Sequence, residues 1–164
     1  MAEFRFTNDL SAQDVAGVVD VLRRPRLYIP TERDYPNHVT WLEKTEAQLI
    51  AGEKRAMVAY ALGHAVGTVV YRKHEVRTDV LEIRNISVSP DAKGRYVGSF
   101  LLRNSEIEGI QNDFPGTSTV MVDTKVTNIG MIDFLLTHGY ELQEVVDLYG
   151  LDAGMDAVLT KTVA

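Results

Sequence analysis

The sequence predicts one domain of the α/β class. Its 164 residues fall within the usual range of a single domain, and its composition, 45% hydrophobic and 24% charged, is close to that of an average soluble globular protein. Segments with a two-residue apolar period alternate with segments of helical period, and glycine or proline separates most of them. No internal repeat or low-complexity tract divides the chain, so we expect a single domain over residues 1–164.

A short strand and a helix are expected at the start of the chain. Phe4 and Phe6 alternate with polar residues, which is typical of a strand. Ser11 stands three residues before Asp14 in a capping-box arrangement, and this favours a helix from there to about Arg24.

A second helix is expected after a surface loop over residues 27–36. Pro36 suits the first turn of a helix, and Gly52 is a suitable C-terminal stop. The residues expected on the buried face of this helix are Trp41, Leu42, Leu49 and Ile50.

Strand-like runs occupy the middle of the chain. Residues 55–62 and 65–71 flank a Gly63-His64 turn and predict a hairpin. In the next run, over residues 80–88, the apolar residues are Leu81 and Ile83 at odd positions and Ile86 and Val88 at even positions. An extra residue near position 84 or 85 would place all four on one face, as a β-bulge does. Burial of both faces of a central strand would give the same pattern.

The remainder of the chain predicts helix, strand, helix and two strands. The helices are expected over residues 96–111 and 128–138, and the strands over 119–123, 140–149 and 157–161. The first helix carries Val97, Phe100, Leu101 and Ile107 on one side, and the second carries Met131, Phe134, Leu135 and His138. His138 closes its helix, where an imidazole commonly contacts the last carbonyl groups.

The charge distribution suggests one small anion site. The chain has a net charge of −6, which argues against nucleic-acid or anionic-membrane binding. Residues 83–164 hold six Lys or Arg against eleven Asp or Glu, yet four of those six (Arg84, Lys93, Arg95 and Arg103) fall close together. An ordinary solvated acidic surface is the alternative interpretation.

The loop that joins the third strand-like run to the following helix carries part of this basic cluster. It contains Lys93, Gly94, Arg95 and Gly98, and the helix begins directly after it. Free backbone N–H groups and the positive end of the helix dipole at such a position form an anion site. The loop lacks the glycines of a dinucleotide fingerprint and the Gly-Lys-Ser/Thr of a P-loop, and an ordinary strand-to-helix turn is the alternative.

These segments resemble the GNAT superfamily of acyl-CoA-dependent N-acyltransferases. That family has a bulged strand, Val-x-Pro, and an Arg/Gln-x-x-Gly-x-Gly/Ala loop that opens a helix with Leu-Leu. Here the loop reads Lys93-Gly94-Arg95-Tyr96-Val97-Gly98 and precedes Leu101-Leu102. The family's second segment, an asparagine followed eleven residues later by glycine and an aromatic, is similar to Asn128 through Gly139-Tyr140. The resemblance implies a GNAT fold, with a central, mostly antiparallel mixed sheet, a splayed parallel strand pair and flanking helices.

The same resemblance implies acetyl-CoA as the acyl donor. It assigns the pantetheine arm to the backbone of the bulged strand and the pyrophosphate to the N–H groups from Gly94 to Ser99. Two positions depart from the family pattern: Lys93 replaces Arg or Gln, and Tyr96 replaces a glycine. The full set implied in cofactor binding is Ile86, Ser87, Val88, Lys93, Gly94, Arg95, Tyr96, Val97, Gly98, Ser99, Asn128 and Phe134.

Glu82 and Tyr149 are the candidate catalytic residues. Glu82 matches a strand position where some family members carry a general base; a surface glutamate paired with Arg84 is the alternative. Many members place the acid, a tyrosine, seven residues after the motif asparagine, where this chain has Leu135. Tyr149, with Tyr140 as a second choice, is therefore the candidate acid. Direct attack of the amine on the thioester requires no cysteine, and the chain has none.

The resulting expectation is an N-acetyltransferase that acts on a primary amine of a small molecule or a protein. The acidic surface favours a cationic acceptor such as a polyamine, an aminoglycoside or a lysine side chain. The resemblance assigns acceptor specificity to residues 27–41, which include Tyr28, Tyr35 and Trp41. The alternative is a catalytically degenerate GNAT-fold module that binds acyl-CoA or a protein partner.

Other site types and partners find less support. The four histidines show no metal-ligand spacing, and Ser99 has no Gly-x-Ser-x-Gly around it, so we expect neither a metal site nor a serine nucleophile. The N-terminus lacks a signal-peptide core, and no apolar run approaches membrane-spanning length, so a cytoplasmic location is expected. The resemblance also implies a possible homodimer.

Overall fold

The structure is a computed structural model that describes residues 3–24, 37–150 and 154–163. Its strands are β1 (Phe4–Thr7), β2 (Arg55–Ala61), β3 (His64–Lys73), β4 (Val80–Val88), β5 (Thr119–Lys125), β6 (Glu141–Val146) and β7 (Asp156–Thr162). Its α-helices are α1 (Ala12–Arg23), α2 (His38–Ala51), α3 (Val97–Glu108) and α4 (Ile129–Thr137). The predicted loop over 27–36, with Tyr28 and Tyr35, lies outside the described residues, as does Pro36.

The strands form one mixed sheet in the order β1-β2-β3-β4-β5-β7-β6. Every neighbouring pair is antiparallel except β4 and β5, which are parallel. This confirms the expected fold class, a mostly antiparallel mixed sheet with one parallel pair and helices on its faces.

Two hydrophobic clusters cover the two faces of the sheet. On one face, α1 and α2 pack Val18, Leu22 and Leu42 against Val58 and Val70 of the strands. On the other face, the buried residues are Leu101 and Leu102 of α3, Leu135 of α4, and Val69, Leu81, Ile83, Val120 and Leu159 of the strands. The sheet is therefore the middle layer between two helical layers, and its central strands are covered on both sides.

The first helix and the hairpin follow local rules, with one shift. Ser11 and Asp14 form the expected capping box at the start of α1. The hairpin turn consists of Leu62-Gly63 instead of Gly63-His64, because His64 already pairs with Ala61 across the strands. Both turn residues have positive φ, 51° and 80°, as a two-residue turn that matches the strand twist requires.

Several helical positions are corrected by the structure. Ile50, Phe100 and Ile107 were expected on buried faces but are 71%, 42% and 48% exposed. Thr45 is buried on α2 in place of Ile50, and Leu102 and Ser105 are buried on α3. The chain leaves the α3 helix in a single π-turn over Gly109–Asp113. A 3.6-residue period is compatible with several neighbouring faces of a helix being buried, and packing against the sheet determines which face it is.

The ends of two strands also differ from the prediction. Strand β5 continues past Asp123 to Lys125, because its edge pairs with β7 as far as Asp156. Strand β6 ends at Val146, three residues before the predicted bound at Tyr149. Among the described residues, no helix has both the length and the apolar character needed to cross a membrane.

The bulge in β4 is present and separates β4 from β5. Along the β3–β4 ladder, Val70 pairs with Asn85 and Tyr71 pairs with Ile83, so Arg84 is the extra residue. Ile86 and Val88 consequently pack on the same cluster as Leu81 and Ile83, which confirms the bulge over the alternative. The β4–β5 ladder ends at the pairing of Ile83 with Val122. Beyond that pair the two parallel strands diverge.

Candidate active site

A cavity of about 520 Å³ opens where β4 and β5 separate. Its volume lies within the range of small-molecule and cofactor sites. It is lined by the end of β4, the following loop, the first turns of α3 and α4, and the end of α1. The lining residues are Val21, Arg24, Ile86, Ser87, Val88, Ser89, Pro90, Ala92, Lys93, Gly94, Tyr96, Val97, Gly98, Ser99, Asn128, Gly130, Met131 and Phe134.

The structure brings nearly all of the predicted cofactor residues to this cavity. Of that set, only Arg95 is absent from the lining, and it lies exposed in the loop. Glu82 and Tyr149 also lie outside the lining. The cofactor prediction therefore describes one continuous surface, whereas the two catalytic candidates belong to a separate group of side chains.

The N-terminus of α3 forms one wall of the cavity. Tyr96 is the N-cap in left-handed conformation, with φ 62°, and its side chain makes no capping hydrogen bond. The first main-chain bond of the helix runs from the Phe100 N–H to the Tyr96 carbonyl. The N–H groups of Val97, Gly98 and Ser99 therefore have no intrahelical acceptor, and together with the helix dipole they favour an anion.

Tyr96 leaves this wall open. Tyr96 is 84% exposed, so its ring borders the cavity without filling the backbone cradle. Gly98 lies deeper in the same turn, and a Cβ there would meet Phe134 and Val88 at 3.7 Å, an ordinary contact distance. The absence of side-chain atoms at Gly98 is thus a property of the cavity surface and not a packing requirement of the protein.

The opposite wall is the open edge of β4. Past Ile83 this strand pairs only with β3, through partners as far as Gly67 and Val88. In the part of the chain that the structure describes, no strand pairs with its other edge, so backbone N–H and C=O groups at Ile86–Val88 are available to an extended ligand that carries amides.

Polar and aromatic groups of α4 complete the cavity. Asn128 caps α4, since its Oδ1 accepts from the Met131 N–H at 3.4 Å, while its Nδ2 donates to Thr124 Oγ1 at 3.3 Å. His138 Nδ1 donates to the Phe134 carbonyl at 2.7 Å, as predicted for the helix end. In the neutral ring, Nε2 then accepts from the Ser99 hydroxyl at 2.9 Å, which ties α4 to the first turn of α3.

Arg24 is a cavity residue that the sequence did not assign. It follows the last turn of α1, and its Nη1 donates to Ser89 Oγ at 2.7 Å. Its Nη2 also pairs with Asp20. With Lys93 it places two cations at the cavity that ends at the α3 N-terminus. The run of three arginines around Pro25 was the available signal, but the sequence could not show that α1 ends beside β4.

Glu82 and Tyr149 meet in an ionic network, which we call the Arg84 network (Arg72, Glu82, Arg84, Asp123 and Tyr149). Glu82, buried at 6% exposure, accepts from Arg72 Nε at 2.7 Å and from Arg84 Nη1 at 3.5 Å. Arg84 Nη1 also lies 3.5 Å from Asp123 Oδ1, and the Tyr149 hydroxyl donates to Asp123 Oδ2 at 2.6 Å. The bulge residue thus connects the two candidate catalytic side chains.

The environment of Tyr149 keeps its phenol protonated. Burial and the adjacent Asp123 carboxylate raise the pKa of Tyr149 well above its ordinary value. The ring also lies 5.2 Å from the Lys125 ammonium. Lys125 in turn pairs with the fully buried Asp156 at 3.0 Å, and Asp156 accepts from the Leu148 N–H at 3.3 Å. This pair anchors the loop that carries Tyr149.

The other tyrosine considered as an acid has a structural role. Tyr140 is buried, and its hydroxyl donates to Glu106 Oε1 at 2.8 Å, while Lys161 pairs with the other oxygen of Glu106 at 2.9 Å. This group joins α3 to the C-terminal strands, away from the cavity. Leu135 is fully buried in the core, so α4 presents no phenol at that position.

A metal centre finds no support in the described part of the chain. Residues 3–24, 37–150 and 154–163 contain no group of three His, Asp or Glu side chains arranged to hold a metal ion.

Comparison with solved structures finds the same fold. A structure from Desulfovibrio desulfuricans described as an acetyltransferase of the GNAT family aligns over 99% of this chain and 100% of its own, with a TM-score of 0.79 and 16% identity. The ribosomal-protein-S18-alanine N-acetyltransferase of Escherichia coli aligns over 99% and 95%, with a TM-score of 0.72 and 16% identity. The PaiA N-acetyltransferase of Thermoplasma acidophilum, solved with coenzyme A, aligns over 98% and 99%, with a TM-score of 0.70 and 12% identity.

The family assignment comes from the sequence match. Identities this low support a shared fold alone, and comparison with curated proteins finds no match. Residues 18–140, however, match the model of the acetyltransferase (GNAT) family. That match includes the bulged strand, the loop over residues 89–96 that follows it, α3 and α4, the elements that surround the cavity. The chain therefore belongs to the GNAT acetyltransferase family.

Proposed function

We propose that this chain is an N-acetyltransferase that transfers the acetyl group of acetyl-CoA directly to a primary amine of a small molecule or protein. The observation that carries the proposal is the cavity between the diverging strands β4 and β5, which ends at the uncapped N-terminus of α3. An elongated ligand with amides at one end and phosphates at the other matches both walls.

The residues present suit the cofactor. The open edge of β4 at Ile86–Val88 offers backbone groups to the pantetheine amides. The first-turn N–H groups of α3, with Lys93 and Arg24, offer positive potential to the phosphates. Phe134 and Met131 supply apolar surface along the same cavity. Acetyl-CoA, when bound, supplies the acetyl group as an activated thioester.

Glu82 is the proposed general base. It lies at the last paired positions of β4 and β5, on the strand whose next residues border the cavity. Its two oxygens are held by Arg72 and Arg84, which fix the carboxylate in one orientation. In this role the carboxylate removes a proton from the acceptor ammonium, directly or through a water.

Tyr149 is the proposed general acid. Its phenol is protonated at neutral pH, as an ordinary tyrosine is, and it is positioned by Asp123 on one side and Lys125 on the other. In this role it gives a proton to the leaving thiolate, and Asp123 keeps the hydroxyl oriented.

The second candidate function is a binding module without turnover. The supporting observation is Leu135, which is fully buried where many family members carry the acid tyrosine. Such a module would bind acyl-CoA or a protein partner. A cytoplasmic location and a homodimer remain predictions for either function.

Thiol release distinguishes the two functions. The chain is incubated with acetyl-CoA and a panel of primary amines, free coenzyme A is followed with a thiol reagent, and acetylated products are identified by mass. Release that depends on the amine, with a product 42 Da heavier, supports acetyl transfer, since an acetyl group replaces one hydrogen. Saturable acetyl-CoA binding with no amine-dependent release on any amine would favour the module.

A further inference from the structure

A row of basic side chains crosses the α1/α2 face of the sheet, next to the point where β4 and β5 separate. Arg72 of β3 pairs across the strands with Glu82 of β4, two residues after Val70, which packs on this face. Lys54 immediately precedes β2, and its ammonium contacts α2 on the same face. With the bulge residue Arg84, we call Lys54, Arg72 and Arg84 the basic row.

Each carboxylate near the basic row already forms an ion pair with Arg72, with Arg84, or with both. Arg72 pairs with Glu82 at 2.7 Å and with the exposed Glu75 at 2.8 Å. Arg84 lies 3.5 Å from Glu82 and 3.5 Å from Asp123. The two buried or half-buried carboxylates are therefore fully engaged by two guanidinium groups.

Among the described side chains, Lys54 is a buried cation that forms no salt bridge. It is 5% exposed, and its Nζ donates to Thr45 Oγ1 at 3.2 Å and lies 5.8 Å from the Trp41 ring. In the ranges 3–24, 37–150 and 154–163, no carboxylate lies within salt-bridge distance of it. Burial, with the Arg84 and Arg72 guanidinium groups, lowers the pKa of Lys54 to about 8.

Among the described residues, the inner side chains of this region carry an excess of positive charge. Three cations (Lys54, Arg72 and Arg84) stand against the two inner carboxylates of Glu82 and Asp123, while the third carboxylate, Glu75 on Arg72, is exposed to solvent. A buried charge that lacks a counter-charge is unfavourable, and one added negative charge would balance the group. A carboxylate fits such a place, since it accepts several charge-assisted hydrogen bonds from ammonium and guanidinium donors.

We propose that the basic row is an anion subsite for the acceptor, and that the acceptor is a primary amine that carries a carboxylate, such as an amino acid. This inference rests on the proposed acetyl transfer. It replaces the polycationic acceptor that the acidic composition favours, because a polyamine would add positive charge to a region that already has an excess. The acceptor amine then lies toward Glu82 and the point where β4 and β5 separate, and its carboxylate lies toward Lys54.

Matched pairs of amines test the proposal in the wild-type protein. Each pair differs by one carboxylate: lysine and cadaverine, arginine and agmatine, histidine and histamine, tyrosine and tyramine. We expect kcat/KM for the carboxylate member to be at least tenfold higher in the pair that the enzyme uses best. A smaller preference in that pair, or a preference for the decarboxylated amine, overturns the proposal.

The Lys54→Met variant assigns the preference to the basic row. It removes the ammonium and keeps an unbranched side chain, and we expect it to lower kcat/KM for the carboxylate member at least tenfold more than for its decarboxylated partner. Lys44→Met, an exposed lysine on α2, is the control and keeps the wild-type preference. Equal losses on both members would show a merely structural role and overturn the proposal. If Lys54→Met does not fold, Lys54→Arg, which keeps the charge, is measured instead and is expected to keep the preference.

A binding measurement separates this inference from the proposed function. If no amine of any pair is acetylated, the proposed function fails, and the subsite is judged by thermal unfolding alone. Stabilisation of the wild-type chain by lysine but not by cadaverine, lost in Lys54→Met and kept in Lys44→Met, would support an anion subsite. Equal melting temperatures with lysine and cadaverine would overturn it.

Discussion

The Tyr149 hydroxyl donates a hydrogen bond of 2.6 Å to Asp123 Oδ2, across the gap between the β6–β7 connection and the end of β5. Asp123 is also 3.5 Å from Arg84, the extra residue of the β4 bulge. Through Asp123, the loop after β6 is therefore linked to the bulge at which β4 separates from β5. It gives Tyr149 a fixed place beside the diverging strands, which its place in the sequence does not indicate.

Tyr149→Phe is expected to lower kcat about 100-fold while KM for acetyl-CoA stays within twofold, because general acid catalysis contributes roughly 10²–10⁴-fold. Steady-state thiol release measures both constants. The control is Tyr60→Phe, which removes a similar bond, 2.6 Å from the Tyr60 hydroxyl to Asp14, in a pair distant from the cavity. A Tyr149→Phe enzyme with a kcat within twofold of the wild-type value would remove the acid assignment.

Glu82→Gln is expected to lower kcat at least 100-fold and to flatten the acidic limb of the kcat/KM–pH profile, since the variant has no carboxylate to accept a proton. Glu75→Gln is the matched control. Glu75 is the other carboxylate on Arg72 but is exposed, so its loss should change kcat less than twofold. An unchanged rate at every pH for Glu82→Gln would contradict the base role and leave Glu82 as an ion-pair partner.

Asn128→Ala is expected to raise KM for acetyl-CoA several-fold and to destabilise the chain by about 1 kcal/mol, the usual cost of losing a helix cap. Ser11→Ala removes the side-chain cap of α1, and Ser11 does not line the cavity. It should cost a similar free energy of unfolding with no change in KM. Urea unfolding and initial rates separate the two effects. If both variants change KM equally, Asn128 acts only through α4.

The stability of the chain should depend on pH through Lys54. Its pKa of about 8 in the folded state lies below the unfolded value near 10.4, so the unfolded chain binds more protons between these values and stability rises with pH across this window. At pH values below 8, the buried charge lowers the free energy of unfolding by up to about 3 kcal/mol relative to a lysine of ordinary pKa. The free energy of unfolding of the wild type, relative to Lys54→Met, should therefore increase between pH 7 and pH 9.5.

Urea unfolding at both pH values measures that difference. Lys44→Met serves as the control, and because the Lys44 ammonium only adds to the lowering of the Lys54 pKa, its difference from the wild type should change with pH much less than that of Lys54→Met. A difference between the wild type and Lys54→Met that does not change over this range would show that Lys54 titrates as an exposed lysine does.

The bulge and the anion loop could be predicted because each leaves a local trace in the sequence. The apolar phase of β4 changes at Arg84, and only a bulge or two buried faces can produce that change. Glycines and cations just before a helix start predict a phosphate cradle through local geometry alone. The capping box of Ser11 and Asp14 is equally local.

The Arg84 network and the burial of Lys54 could not be predicted, because they depend on which strands lie side by side. Glu82 meets Arg72 through the β3–β4 register, and Asp123 meets Tyr149 across residues distant in the sequence. Arg24 reaches the cavity only because α1 ends beside β4. The predicted turn, Gly63-His64, is displaced by one residue from the observed turn, Leu62-Gly63, since nothing in the sequence marks Leu62 for positive φ.

Calorimetric titration of acetyl-CoA into the wild-type chain and into Gly98→Glu tests the proposed cofactor site most directly. A Cβ at Gly98 meets only ordinary contacts and Gly98 lines the cavity, so we expect the variant to fold with its carboxylate at the α3 N-terminus. Ile107→Glu adds the same charge to an exposed position of the same helix. We expect one-to-one binding in the range of about 1 μM to 1 mM for the wild type and Ile107→Glu, and a loss of at least 100-fold for Gly98→Glu. No binding by the wild type, or equal binding by the folded Gly98→Glu variant, would contradict an acetyl-CoA site in this cavity.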